Sequence, residues 1–71
     1  MSGAIQLTVN GKPREVEAGH TILQFLEAHA VNPLLVAVEY NGEIVRRNRF
    51  GEVPLAEGDR LEIIHMVGGG A

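Results

Sequence analysis

Residues 5–9 alternate between apolar and polar side chains, which predicts a half-buried β-strand. Asn10 and Gly11 follow directly, and both tolerate the positive φ angles of a type I′ turn. The chain then returns through Val16, with Pro13 near the start of the returning strand, where a missing N–H is tolerated. The pattern therefore predicts a β-hairpin.

One amphipathic helix is predicted after the hairpin. Thr21 and Gln24 have the spacing of a capping box, in which the threonine hydroxyl accepts the N3 amide and the glutamine reaches back to the cap. The helix is expected to end at Asn32-Pro33, because the residue before proline avoids the α region. Its apolar side chains recur every three or four residues and share one face: Ile22, Phe25, Leu26 and Ala30.

Three further strands are expected in the second half of the chain. Residues 34–38 form an apolar run suited to a buried strand, and the turn signal at 40–43 leads into a short strand at 43–45. Residues 46–51 form an irregular segment, in which Phe50 is expected to anchor the loop to the core. Residues 61–67 form the last strand and lead directly into three glycines.

The element order strand, strand, helix, strand, short strand, strand predicts an α+β fold. One helix must cover one face of one small sheet. The first and last strands are the most apolar, so we expect them side by side at the centre. A parallel pair there requires a long crossover, which the helix supplies.

Composition narrows the classes of function. The chain has 71 residues and no cysteine, which excludes disulfides, thiolate metal sites and a persulfide on its own side chains. The net charge of −3 disfavours nucleic acid as the main partner. No apolar run reaches the about 20 residues that a membrane span needs. Residues 1–4 have no signal-peptide character, so a cytoplasmic protein is expected.

The sequence closes with Gly68, Gly69, Gly70 and Ala71 after the last predicted strand. Glycine has no side chain to pack and loses the most backbone freedom on ordering. Residues 68–71 are therefore expected to form a flexible tail that is thin enough to enter a narrow cleft in another protein. The alternative is a terminus or tag remnant without function.

The last strand breaks the alternation of apolar and polar residues. If Leu61 and Ile63 face the helix, Ile64 and Met66 fall on the opposite face together with Glu62. An exposed apolar pair beside the tail would form a docking patch for a partner protein. The alternative is a β-bulge that turns Ile64 inward.

Other polar residues carry weaker signals. The arginines of the irregular segment either meet an acidic groove on a partner or form a solvated loop: Arg46, Arg47 and Arg49. Asp59 is expected to complete a turn after Gly58. The histidines are too scattered along the sequence to predict a metal site: His20, His29 and His65.

Several segments, in order along almost the whole chain, resemble the ubiquitin-like β-grasp sulfur carriers. Within these, the chain is most similar to the ThiS-like carriers of thiamin biosynthesis. The segments that carry the resemblance are LTVNG at 7–11, TILQFL at 21–26, VAVEYNGEIV at 36–45, LAEGDRLEI at 55–63 and EIIHMVGGG at 62–70. The small subunit of molybdopterin synthase has a similar ending but usually carries prolines before its glycines, and these are absent here.

The resemblance implies a β-grasp domain at 1–67, with a ββαββ(β) mixed sheet covered on one face by a single helix, and the glycine tail at 68–71. It also implies that the chain is not an enzyme but a protein cosubstrate. An E1-like, ThiF-like enzyme would adenylate the carboxylate of Gly70 with ATP and Mg²⁺, which the partner binds, so this chain needs no cofactor of its own. A persulfide donor would then generate a thiocarboxylate, from which a ThiG-like thiazole synthase takes the sulfur.

The residues expected to bind partners precede Gly70: Ile64, Met66, Val67, Gly68 and Gly69. Carriers of this type use a free glycine carboxylate, whereas this sequence continues to Ala71. Three explanations are open: a peptidase removes Ala71, Ala71 is an artificial addition, or the domain has lost the chemistry. The rival functions are a carrier for molybdopterin, cysteine or a secondary metabolite, and a β-grasp interaction module without sulfur chemistry.

Overall fold

A computed structural model of the chain describes residues 3–66, and the elements match the predicted order. One α-helix, α1, spans Ile22–Ala28. Two short 3₁₀ helices lie at Pro33–Leu35 and Arg47–Glu52. The five strands are β1 Ala4–Val9, β2 Lys12–Glu17, β3 Val36–Tyr40, β4 Glu43–Val45 and β5 Arg60–His65.

The strands form one mixed sheet in the order β2-β1-β5-β3-β4. β1 and β5 are parallel, whereas the pairs β1–β2, β3–β4 and β3–β5 are antiparallel. The prediction of a parallel pair of first and last strands at the centre is therefore confirmed. With one α-helix on this sheet, the α+β architecture of the β-grasp fold is confirmed as well.

Both predicted hairpin turns are present, and both have the backbone that Asn-Gly favours. Asn10 and Gly11 have φ angles of 51° and 81°, and Asn41 and Gly42 have φ angles of 50° and 90°. Two consecutive positive φ angles define the type I′ turn, whose twist matches that of the flanking strands. The turn chemistry therefore sets the register of both hairpins.

The capping box of α1 is formed as predicted. The Thr21 hydroxyl accepts the Gln24 amide at 3.2 Å, and the Gln24 side chain accepts the Thr21 amide at 2.9 Å. The predicted helix end is wrong by several residues. α1 ends at Ala28, and Ala30 has a φ of 57°, so this residue terminates the helix in the left-handed region instead of extending its apolar face.

The third strand also begins later than the sequence predicts. Asn32 accepts the Leu34 amide at 2.9 Å through its side chain and caps a 3₁₀ turn, so the strand begins only at Val36. Leu34 and Leu35 are consequently 61% and 53% exposed, whereas the sequence predicted buried positions. The segment predicted to be irregular contains the 3₁₀ helix Arg47–Glu52.

The core lies between the sheet and the α-helix. Phe50 is 1% exposed, which confirms it as the anchor of its segment. Within residues 3–66, no helix is long and apolar enough to cross a membrane. The buried apolar side chains come from every layer of the fold: Leu7, Val9, Ile22, Phe25, Leu26, Val36, Val38, Phe50, Leu55 and Leu61.

Candidate functional site

β5 is the strand that leads towards the glycine segment, and it occupies the centre of the sheet. Leu61 is fully buried and faces the helix. Because successive side chains of a strand point to opposite faces, the even-numbered residues of β5 lie on the other face. Among the described residues, no helix or strand is packed over that face, which we call the open face.

Ile64 and Met66 lie on the open face. Their side chains are 49% and 52% exposed. The register between β3 and β5 runs without interruption from Tyr40↔Leu61 to Val36↔His65, so no bulge turns Ile64 inward. The outward orientation is the one that a docking patch requires.

Neighbouring strands extend this pair into a larger apolar surface. Ala37 lies directly opposite Ile64, and the Leu35 carbonyl accepts the Met66 amide at 2.9 Å. On the other side of β3, Ile44 pairs with Glu39 and is 65% exposed. We call the surface formed by Leu35, Ala37, Ile64 and Met66 the apolar strip. Ile44 lies outside this strip, on the far side of Glu39.

Two carboxylates border the apolar strip. Glu39 and Glu62 are directly opposite each other on adjacent strands, and both are half-buried. Like charges in this position repel. Together with Arg60 and the Asn41-Gly42 turn they line an open groove of about 660 Å³. The open face therefore combines an apolar end near Met66 with a charged band next to it that holds Glu39, Glu62 and Arg60.

Asp59 holds the turn from which β5 starts. Its Oδ2 accepts the Tyr40 hydroxyl at 2.6 Å and the Ala56 amide at 2.8 Å, and its Oδ1 accepts the Asn41 side chain at 3.1 Å. The sequence predicted only that Asp59 completes a turn. Its long-range partners were missed because Tyr40 and Asn41 are remote in sequence.

This network shifts two pKa values in opposite directions. The hydrogen bond to Asp59, then burial and the carboxylate charge, raise the pKa of Tyr40 to about 12. Burial alone would raise the pKa of Asp59, but the hydrogen bonds from Tyr40, Asn41 and Ala56 outweigh it and lower the pKa below its usual value. A charged Asp59 next to a protonated Tyr40 is thus the stable state of the start of β5.

Most of the predicted reactive segment lies outside the described residues. Val67, Gly68, Gly69, Gly70 and Ala71 all fall there, so their roles stay predictions. The structure thus places two of the predicted partner-binding residues, Ile64 and Met66, and brings them together on the open face.

The arginine segment is solvated. Arg49 pairs with Glu52 at 2.8 Å, and both side chains are more than half exposed, so this ion pair contributes little stability. His20 and His29 each place Nδ1 near a carbonyl of their own segment, at 3.1 and 3.0 Å. In the part of the chain that the structure describes, no group of three or more potential ligands is arranged to hold a metal ion.

Comparison with known proteins identifies related sequences. The model of the ThiS family matches residues 7–70, and so includes Gly70. A sulfur carrier protein ThiS from Bacillus subtilis is 42% identical over 50 residues, which cover 70% of this chain and 76% of that protein. A thiazole synthase from Magnetococcus marinus is 39% identical over 66 residues, which cover 93% of this chain but only 20% of the synthase. The chain thus spans about a fifth of the length of this relative.

A solved structure has the same fold. The crystal structure of the thiamine biosynthesis protein ThiS from Geobacter metallireducens superposes with a TM-score of 0.81 at 36% sequence identity. The alignment covers 93% of this chain and 100% of that chain. The mixed sheet and its single α-helix are therefore shared with a β-grasp protein over nearly the entire length.

Proposed function

The chain belongs to the ThiS family, and from this premise we propose that it is a sulfur carrier protein of thiamin biosynthesis that carries sulfur on the terminal carboxylate of Gly70. The observation that supports this most strongly is the extent of the family match. It begins within β1, at residue 7, includes the other four strands and ends at residue 70, the last of the three glycines. The B. subtilis relative, a named sulfur carrier, supports the same assignment.

The proposed chemistry begins with activation, because a carboxylate is a poor electrophile. An E1-like, ThiF-like enzyme joins the Gly70 carboxylate to the α-phosphate of ATP with the help of Mg²⁺, and pyrophosphate leaves. The terminal sulfur of a protein persulfide then attacks the acyl carbon, and AMP leaves. A thiol cleaves the resulting S–S bond, which yields a disulfide and the Gly70 thiocarboxylate. ATP and Mg²⁺ are bound by the partner.

The chain itself acts as a cosubstrate and not as an enzyme in this scheme. Its contribution is to present one reactive end group. Glycines at 68–70 suit this task, since a β-carbon would widen the chain where it enters the cleft that aligns the carboxylate with ATP. Ordering each of these residues costs about 1–2 kcal/mol of backbone entropy. Backbone hydrogen bonds to the partner and docking of the folded domain must offset this cost.

We assign docking to the open face. The apolar strip ends at Met66, the last described residue before the tail, so a partner bound there is positioned to receive Gly70. Exposed apolar side chains clustered in this way mark interaction sites. A lysine or arginine of the partner would relieve the repulsion between the facing carboxylates of Glu39 and Glu62. This charge pairing adds specificity to the apolar contact.

Two partners are proposed to use this end of the domain, the adenylating enzyme and a ThiG-like thiazole synthase. The M. marinus relative supports the second partner, since a segment similar to this chain is part of a protein named a thiazole synthase. The presence of a carrier-like segment in the same chain as the enzyme that would accept the sulfur supports the proposal that sulfur passes between the two. The persulfide donor is the third component of the proposed reaction.

Intact-mass measurement tests the proposed function directly. A chain that ends at Gly70 is incubated with a ThiF-like enzyme, ATP, Mg²⁺ and a persulfide donor. We expect the mass to increase by the difference between one sulfur and one oxygen atom. The matched control is a chain that ends at Gly68, which should bind the enzyme but gain no sulfur. An unchanged mass of the Gly70 form under conditions that modify another ThiS protein would refute the proposal.

A further inference from the structure

Side chains of both hairpin turns hold the central strand. Asn41 accepts the Arg60 amide at 2.8 Å, at the start of β5, and Asn10 accepts the Ile63 amide at 2.7 Å, in its middle. The two asparagines occupy equivalent positions. Each is the first of the two central residues of a type I′ turn, with φ near 50°. They approach β5 from its two sides, because β1 and β3 are its two neighbours in the sheet.

Asn10 continues the pairing of β1 with β5 where the backbone can no longer do so. The backbone register of this pair covers only Thr8↔Arg60 and Val9↔Leu61, followed by a bond from the Asn10 amide to the Leu61 carbonyl at 2.9 Å. At Asn10 the chain enters the turn. Its side-chain amide then takes the place of a peptide group: Oδ1 accepts the Ile63 amide, and Nδ2 donates to the Ile63 carbonyl at 3.3 Å.

The other edge of β5 is paired further along. β3 pairs with β5 as far as Val36↔His65, and the Met66 amide adds a bond to the Leu35 carbonyl. The Asn10 side chain therefore makes the contact on the β1 side of β5 that lies closest to the tail within residues 3–66. Two residues, Ile64 and His65, lie between Ile63 and Met66.

We propose that Asn10 is a positioning residue for sulfur transfer, in that its side chain fixes the direction in which β5 delivers the tail. This proposal rests on the proposed function. With Ile63 bonded to Asn10 on one edge of β5 and its neighbours paired with β3 on the other edge, the twist of β5 is set up to the point where the tail begins. Without the side-chain amide, the end of β5 is held by β3 alone and can swing, which misplaces Gly70 relative to the ATP of a docked enzyme.

The chain offers a substitution that separates the side chain from the turn. Asn10→Gly keeps the positive φ that the turn requires, because Gly-Gly also forms type I′ turns. Asn10 is exposed, so its side chain contributes no core packing. Asn10→Asp keeps the acceptor for the Ile63 amide but cannot donate to the Ile63 carbonyl, and it is expected to have an intermediate effect.

The first readout is ATP–pyrophosphate exchange as a function of carrier concentration, with the chain ending at Gly70 and a ThiF-like enzyme. We expect Asn10→Gly to lower the maximal rate by about tenfold or more, because a misplacement of about 1 Å has effects of this size or greater. The carrier concentration at half-maximal rate should stay within about twofold of wild type, because the apolar strip is intact. An unchanged maximal rate, or a change confined to the half-maximal concentration, would overturn the proposal.

Thr21→Ala is the control for stability, because it removes the capping box of α1 and leaves both turns and β5 unchanged. This variant should lower the midpoint of unfolding without a comparable fall in maximal rate. Equal losses of maximal rate in the Thr21 and Asn10 variants would mean that stability alone is responsible, and the positioning role would be rejected.

Amide hydrogen exchange gives a second readout that does not depend on activity. In Asn10→Gly the Met66 amide should exchange about tenfold faster relative to the Glu39 amide, because the end of β5 opens locally while the middle of the β3–β5 pair stays closed. An unchanged ratio would reject the proposal by itself. If the wild-type chain ending at Gly70 supports no exchange of pyrophosphate, the proposed function fails, and this ratio alone decides whether Asn10 orders the end of β5.

Discussion

The hydroxyl of Tyr40, the last residue of β3, donates a hydrogen bond to Asp59 at 2.6 Å. Asp59 is only 9% exposed, so its carboxylate depends on this donor, on Asn41 and on the Ala56 amide in place of water. The pair thus joins the end of β3 to the turn from which β5 starts.

Tyr40→Phe should lower the free energy of unfolding by about 1–2 kcal/mol, because it removes a charge-assisted donor from a buried carboxylate. Urea unfolding of Tyr40→Phe, Asp59→Asn and the double variant measures the effect as a cycle. We expect the double variant to lose less stability than the sum of the single variants, since the two side chains share one bond. Strict additivity would show that the bond contributes nothing.

The same pair predicts how stability depends on pH. Because the pKa of Tyr40 is raised to about 12, the folded chain keeps this proton above the pH at which the unfolded chain, with a tyrosine pKa near 10, releases it. The resulting stability is complete below about pH 10 and is lost as the pH rises towards about 12. For Asp59 the pKa is lowered, so its contribution is complete above about pH 4 and is lost on acidification through the lowered pKa.

Absorbance can follow the alkaline part of this prediction at a single residue. Tyr40 is the only tyrosine of the chain and there is no tryptophan, so the phenolate signal reports Tyr40 alone. We expect a titration midpoint well above 10, the ordinary tyrosine value, in the folded protein. Asp59→Asn should move this midpoint down towards the ordinary value. A midpoint near 10 in the wild-type protein would contradict the assigned hydrogen bond.

Docking should depend on the open face. Ile64→Glu or Met66→Glu should weaken binding to the adenylating enzyme by about tenfold or more, because each places a negative charge in the apolar strip. Both side chains are about half exposed, so the unfolding midpoint should change little. Binding is measured by titration calorimetry.

The matched control for docking is Ala28→Glu, which makes the same charge change on α1, at the covered side of the sheet. It should bind like wild type. If all three variants bind equally well, the open face is not the docking surface. If Ile64→Glu or Met66→Glu unfolds the domain, these side chains contribute to the core and the assignment must be withdrawn.

The identity of the last residue should decide whether the chain is activated. A chain that ends at Gly70 offers its carboxylate to the ATP site, whereas in a chain that ends at Ala71 the Gly70 carboxyl is part of a peptide bond. The alanine methyl group should also be resisted by a cleft shaped for glycine. ATP–pyrophosphate exchange with both forms is therefore expected to be fast for the first and slow or absent for the second. Equal rates would show that Gly70 is not the reactive residue.

Local patterns predicted the helix and both hairpins, and the error in the fold falls where two local signals compete. The capping box and the apolar spacing identified α1 with its buried residues Ile22, Phe25 and Leu26, because these signals lie within one helix. Two Asn-Gly dipeptides identified both hairpins for the same reason. The error at Leu34 and Leu35 arose from the Asn32 cap, which forms a 3₁₀ turn in a segment whose apolar run resembles a strand.

The candidate site was predictable only along its own strand. The sequence identified Ile64 and Met66 from the broken alternation of residues 61–67. It did not identify Ala37 as the neighbour of Ile64, or Ile44 as the neighbour of Glu39, because these pairs depend on the registers β3–β5 and β3–β4. The Glu39–Glu62 pair was missed for the same reason, since neither residue is unusual within its own strand.

The central position of β5 has a mechanical consequence. A pull on the chain beyond Met66 acts along a strand that has a neighbour on each edge, β1 and β3. Such a load must shear two ladders of hydrogen bonds at once, whereas the same load along an edge strand would shear only one ladder. In the proposed reaction, the domain is therefore expected to stay folded while a partner enzyme draws the end of the chain into a cleft and releases it again.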